Sequence, residues 1–128
     1  MRDIKFRCYV KFLGEMHEVK EMILDNDAVM IEAYPYGLDR DDAPVMQYTG
    51  IKDKNGVDIY EGDIVEGTCL GFCDEDEFKD CVEFSNGSFC FSREKWKDGT
   101  YDWYTLENYD SEDLLVVGNI YQDKHLLK

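Results

Sequence analysis

The chain has 128 residues, with 29 Asp or Glu against 14 Lys or Arg and a net charge of −15. That balance offers no basic surface to displace counterions from phosphate, which excludes bare nucleic acid and anionic membranes as direct partners. Hydrophobic residues make up 44%, with nine Tyr, seven Phe and two Trp, so a core is available and one domain over residues 1–128 is expected.

In chain order, Ile4, Phe6, Cys8 and Val10 alternate with Lys5, Arg7, Tyr9 and Lys11, the period of a strand. Gly14 allows a turn. In residues 16–24, Met16, Val19, Met22 and Ile23 fit a helical stripe as well as a strand, and the strand reading is preferred. Val29–Tyr34 is a further strand candidate. Asp53-Lys54-Asn55-Gly56 reads as a hairpin turn between Met46–Ile51 and Val57–Tyr60, and Glu61-Gly62-Asp63 as a turn before Ile64-Val65.

The sharpest local pattern covers residues 81–92. Asn86-Gly87 is a preferred central pair for a two-residue hairpin. It sets Phe84 opposite Phe89 and Val82 opposite Phe91 on one apolar face, with Glu83 opposite Cys90 and Ser85 opposite Ser88 on the other. Tyr101–Tyr104 and Leu114–Tyr121 complete the strand candidates. Short helical turns are expected after Ser92 and at Lys124–Lys128. The fold class is mainly β: eight to ten short strands in a small barrel or in packed, curled sheets. Residues 66–80 give no reading.

Met1–Val10 carries charges at Arg2, Asp3, Lys5 and Arg7 and has no apolar stretch of the signal-peptide kind. The longest aliphatic run, Leu114–Val117, is far too short to span a membrane. A cytoplasmic protein is expected, with Cys8, Cys69, Cys73, Cys81 and Cys90 as reduced thiols. Cys69 and Cys73 have the spacing of one zinc knuckle, but Cys81 and Cys90 do not make a second, and no metal is assigned.

His17 and His125 lie far apart and belong to no local nucleophile or metal motif. The acids between Asp53 and Asp63 fail the EF-hand pattern, because Ile51 and Gly62 would occupy ligand positions. Gly50, Gly56 and Gly62 read as turn glycines rather than a phosphate loop. The aromatics Tyr101, Trp103, Tyr104 and Tyr109 fit a core or a protein interface better than a base-stacking platform, which needs a basic groove beside it. No catalytic residue and no cofactor is assigned.

The charge is unevenly spread. Residues 1–24 carry a net +1, residues 25–66 a net −8 and residues 67–128 another −8. The densest acid is Asp74, Glu75, Asp76 and Glu77, with a second group at Asp110, Glu112 and Asp113.

Three blocks, MRDIKFRCY at Met1–Tyr9, MQYTGIKDKNGVDIYEGDIV at Met46–Val65 and VVGNIYQDKHLL at Val116–Leu127, resemble the YopX family of phage and prophage proteins. The resemblance implies a small, soluble protein of a bacterial cytoplasm that is able to oligomerise, and it supplies no catalytic residues. The blocks read as a folding signature: QYTG, DKNG and YEGD each place a glycine at a chain reversal, and Ile51, Ile59, Ile64 and Val65 supply core. Residues 66–115 lie outside it.

The leading functional expectation is a non-enzymatic protein whose acidic surface docks on a basic host protein, such as a nucleic-acid-processing or defence enzyme. The residues expected to carry it are Asp74, Glu75, Asp76 and Glu77, then Asp110, Glu112 and Asp113. One alternative is a homo-oligomeric accessory protein that pairs through its near-neutral N-terminal strand. Another is a ligand-binding barrel or a hydrolase that uses paired carboxylates.

Overall fold

The computed structural model describes residues 3–23, 27–68, 77–85, 87–92, 103–106 and 109–127. They hold twelve strands, all paired antiparallel where a register is defined, and two short 3-10 turns. The mainly β expectation holds. Contacts cluster the chain into two compact units, Met1–Tyr48 and Thr49–Lys128.

In the first unit, β1 (Phe6–Val10) pairs with β2 (Glu15–Glu18), Arg7 opposite Glu18 and Val10 opposite Glu15. A meander follows: β3 (Glu21–Ile23), β4 (Ala28–Ile31) and β5 (Tyr34–Asp39). β6 (Val45–Lys52) begins here and pairs Phe6 with Gln47 and Cys8 with Val45. Alternation along β1 turns Cys8 and Val10 fully inward, where they meet Val29, Ile31, Leu38 and Ala43.

Two expectations are refined in this unit. Of residues 16–24, the described part, 16–23, holds two strands rather than one: the end of β2 and all of β3, joined by Val19 and Lys20. The Val19 N–H donates to the Phe6 carbonyl (3.0 Å) and the next N–H, of Lys20, to the Met30 carbonyl (2.8 Å), so the chain changes sheets between them. Val19 and Met22 both pack on the core either side of that change, and their three-residue spacing imitates a helix. The expected strand Val29–Tyr34 is in fact a strand end, a turn at Glu32-Ala33 and the start of β5, because Ile31 pairs with Tyr34. Pro35 is tolerated because β5 is the outer strand of its sheet.

Within its sheet β1 is hydrogen-bonded to β2 on one side and to β6 on the other, so β2 is an edge strand.

In the second unit the rest of β6 neighbours β7 (Asp58–Tyr60). A five-stranded sheet follows in the order β11 (Trp103–Thr105), β10 (Ser88–Ser92), β9 (Glu77–Ser85), β8 (Asp63–Thr68), β12 (Leu114–Asn119). The β9–β10 register is the one expected: Ser85 with Ser88, Phe84 with Phe89, Glu83 with Cys90 and Val82 with Phe91. Val82 and Phe91 lie in a core with Ile59, Val65, Leu106, Tyr109 and Leu114. Phe89 joins that core, whereas Phe84 opposite it stays 57% exposed, with its ring edge-on to Phe89.

Gly56 and Gly62 occupy turns as expected, with φ of 78° and 86°. Gly50 does not. It sits inside β6 with φ 89°, a left-handed residue within a strand and not a chain reversal. The C-terminal helical turn is a 3-10 turn, Lys124–Leu127. The one expected after Ser92 falls outside the described residues.

Candidate functional site

The four buried polar residues among those described are Thr49, Asp53, Asp63 and Asn119. Each is held by backbone. The Thr49 hydroxyl donates to the Ile59 carbonyl (2.7 Å) and accepts the Ile51 N–H (3.2 Å). Asp63 accepts the Tyr60 N–H (2.8 Å), closing the Glu61-Gly62 turn. The Asn119 side-chain oxygen accepts N–H groups of Tyr121 and Gln122, each at 3.0 Å.

Asp53 does the most. Its Oδ1 accepts the N–H groups of Asn55 (2.8 Å) and Val57 (2.9 Å), and its Oδ2 accepts that of Val116 (3.0 Å). Burial pushes its pKa up, but the three N–H groups and the Lys54 charge outweigh burial and hold it below the ordinary aspartate value. A carboxylate surrounded by donors is a structural tie and not a cation ligand.

That tie adjoins an acidic concavity among the described residues. Lys54 donates its N–H to the Leu114 carbonyl (2.9 Å), fixing the 53–56 turn against the start of β12. β12 pairs with β8, Leu114 opposite Gly67 and Leu115 opposite Glu66. Just before β12 the chain makes a 3-10 turn, Ser111–Asp113, with the Asp113 N–H on the Asp110 carbonyl (2.9 Å). A recess of about 140 Å³ opens there, lined by Lys54, Glu66, Gly67, Glu112, Asp113, Leu114 and Leu115. Pockets for drug-sized ligands start at about 300 Å³, so this one suits the end of a single side chain. Lys79 lies 3.6 Å from Glu66, a half-exposed pair of little energetic weight.

Of the residues expected from sequence, Glu112 and Asp113 line the recess together. Asp110 starts their turn, is exposed, and is not part of the lining. Glu77 opens β9 in register with Thr68. Asp74, Glu75 and Asp76 lie outside the described residues. Sequence reasoning missed Glu66 and Lys54. Alternation places Glu66 on the face of β8 opposite to the core residue Val65, but its meeting with Glu112 depends on the β8–β12 register.

The three described cysteines, Cys8, Cys81 and Cys90, are buried free thiols. Burial, reinforced by Glu83, Asp80, Asp63 and Glu61, pushes Cys81 up to about 12. Such thiols are not nucleophiles at neutral pH. His17 lies 3.0 Å from Glu15 on β2, and His125 is in the last 3-10 turn. Tyr109 is a core residue, its ring edge-on to Phe91. No helix among the described residues is long and apolar enough to cross a membrane.

The model of the family described as YopX protein matches residues 5–128. The chain belongs to the YopX family. The architecture agrees with that of two solved structures. Protein EF1440 from Enterococcus faecalis is 24% identical, with a TM-score of 0.69 and all of both chains covered. Protein yopX from Bacillus subtilis is 20% identical, with a TM-score of 0.63, covering 97% of this chain and 98% of its own. At these identities the likeness concerns the fold. No curated protein matches the chain. All four buried polar residues fall in the sequence blocks that carry the YopX resemblance, Met46–Val65 and Val116–Leu127. In this chain those blocks thus supply its backbone ties.

Proposed function

We propose that this YopX-family chain is a non-enzymatic binding protein that accepts a cationic side chain of a basic partner protein in the recess beside β12. The observation that carries the reading is the convergence of Glu66, Glu112 and Asp113 on one side-chain-sized recess at the start of β12. The charged end of a lysine or arginine suits these carboxylates. The net charge of −15 supports the same reading by steering a basic surface toward the chain from a distance. The run at Asp74–Glu77 adds to that field.

In a phage or prophage setting the partner is a bacterial cytoplasmic protein whose basic groove ordinarily faces nucleic acid, a nucleic-acid-processing or defence enzyme. The protein presents carboxylates where phosphates would lie.

Calorimetry with a lysine hexapeptide tests the reading. Glu112→Lys with Asp113→Lys should weaken binding roughly tenfold more than Glu15→Lys with Glu18→Lys, a pair on β2 that changes net charge equally. Equal losses in the two variants would show a general charge effect and remove the recess as the site.

A further inference from the structure

The first unit has its own unexplained surface. Phe12, in the β1–β2 turn, is 59% exposed and Tyr36, on β5, is 69% exposed. Tyr34, half-buried between them, joins the two in an edge-to-face row: 5.4 Å from the Phe12 ring to Tyr34 and 5.5 Å from Tyr34 to Tyr36. The row is fixed in place, because the Lys11 N–H donates to the Asp42 carbonyl (3.0 Å) and Tyr34 packs on the core. An anchored row of aromatic rings left open to water is unusual for a surface with no partner.

Its surroundings say what partner. Asp39, Asp41 and Asp42 are exposed on the segment that ends β5 and passes beside the Phe12 turn, and Glu32 is exposed two residues before Tyr34. Arg40, in the same segment, is turned to Asp27 (3.0 Å). Aromatic ring faces carry negative potential and attract cations, as the carboxylates do, so both features select the same charge. A second copy of so acidic a chain is disfavoured there.

We propose that the Phe12–Tyr34–Tyr36 row is a docking surface for an arginine-bearing protein segment. The guanidinium stacks on the exposed rings and pairs with a carboxylate from Asp39, Asp41 or Asp42. Arginine is favoured over lysine because its planar, weakly hydrated head does both at once. The recess beside β12 has no aromatic lining and makes no such distinction, so the two surfaces stand or fall separately.

The test is an amide NMR titration of the whole chain with two peptides, Ac-Leu-Arg-Leu-Arg-NH2 and its lysine counterpart. With the arginine peptide, the amides of residues 12–13, 34, 36 and 39–42 should shift. The lysine peptide should bind there about two- to fivefold more weakly. Phe12→Ser and Tyr36→Ser change exposed side chains, and each should abolish these shifts while leaving a dispersed spectrum. Equal affinity for both peptides, no shift at these amides, or shifts there on concentrating the protein alone would overturn the proposal. Shifts at 54, 66–67 and 112–115 report the recess independently in the same spectra.

Discussion

The Asp53 carboxylate receives the backbone N–H of Val116, 63 positions further along the chain, at 3.0 Å. One side chain thus ties a tight turn to the edge strand of a five-stranded sheet. Removing it strands three N–H groups, those of Asn55, Val57 and Val116. Asp53→Ala should cost about 3 kcal/mol by urea unfolding, the scale of losing hydrogen bonds to a charged acceptor. A loss under about 0.5 kcal/mol, the range of neutral surface changes, would show that water replaces the tie.

The same residue gives a pH dependence. Its folded pKa is depressed, so its contribution is present in full above the unfolded aspartate value of about 3.9 and is lost as pH falls through the lower, folded value. The stability gap between the wild type and Asp53→Asn should therefore narrow on acidification below that value. A gap constant down to the acid transition would contradict the assignment.

Gly118 lies against Asp123. A Cβ built at Gly118 meets Asp123 Cβ, Cγ and Oδ2, all at 2.7 Å. Because Cβ is among them, rotation of the aspartate cannot relieve the overlap. Gly118→Ala should cost about 1–3 kcal/mol and weaken the Asn119 N–H bond to Asp123 Oδ2 (3.2 Å). In an Asp123→Gly background the same change should cost clearly less, which a double-mutant cycle would measure.

Phe84 and Phe91 are on the same face of one hairpin, yet they differ. Phe91 is fully buried, Phe84 mostly exposed. Phe91→Ala should cost about 3–5 kcal/mol, and Phe84→Ala no more than about 1 kcal/mol, the worth of its edge-on contact with Phe89. Thermal denaturation of the two variants separates them.

Thiol labelling checks the cysteine environments. In folded protein at neutral pH, peptide mapping after iodoacetamide treatment should find Cys8, Cys81 and Cys90 unmodified. All three should label once urea unfolds the chain. Rapid labelling of Cys81 in the folded state would contradict its burial and its pKa near 12.

The hairpin at 81–92 was legible because turn chemistry and alternation act within a dozen residues and agree. Residues 16–24 were ambiguous for an equally local reason: Val19, in the link after β2, and Met22, on β3, both half-buried, pack on one core either side of a change of sheet, which one-dimensional periodicity does not mark. Gly50 misled because a left-handed glycine inside a strand has the same letter as one in a turn. At the recess, Glu112 and Asp113 stood out as a charge cluster. Glu66 and Lys54 did not, since their part depends on a pairing between β8 and β12 that no local pattern encodes. The exposed row at Phe12, Tyr34 and Tyr36 was hidden for the opposite reason. Aromatics in strand-like sequence read as core, and only packing shows which remain in water.

The position of β12 beside β8 also governs the order in which the second unit is made. During synthesis β8, β9 and β10 leave the ribosome with one side of β8 uncovered and Asp53 lacking its Val116 donor. β12 is the last of the twelve strands to emerge. Until it arrives, the nascent chain exposes β8 as an edge to any strand-forming neighbour. The carboxylate of Asp53 then acts as a latch, set early in translation and closed by one of the last strands to appear.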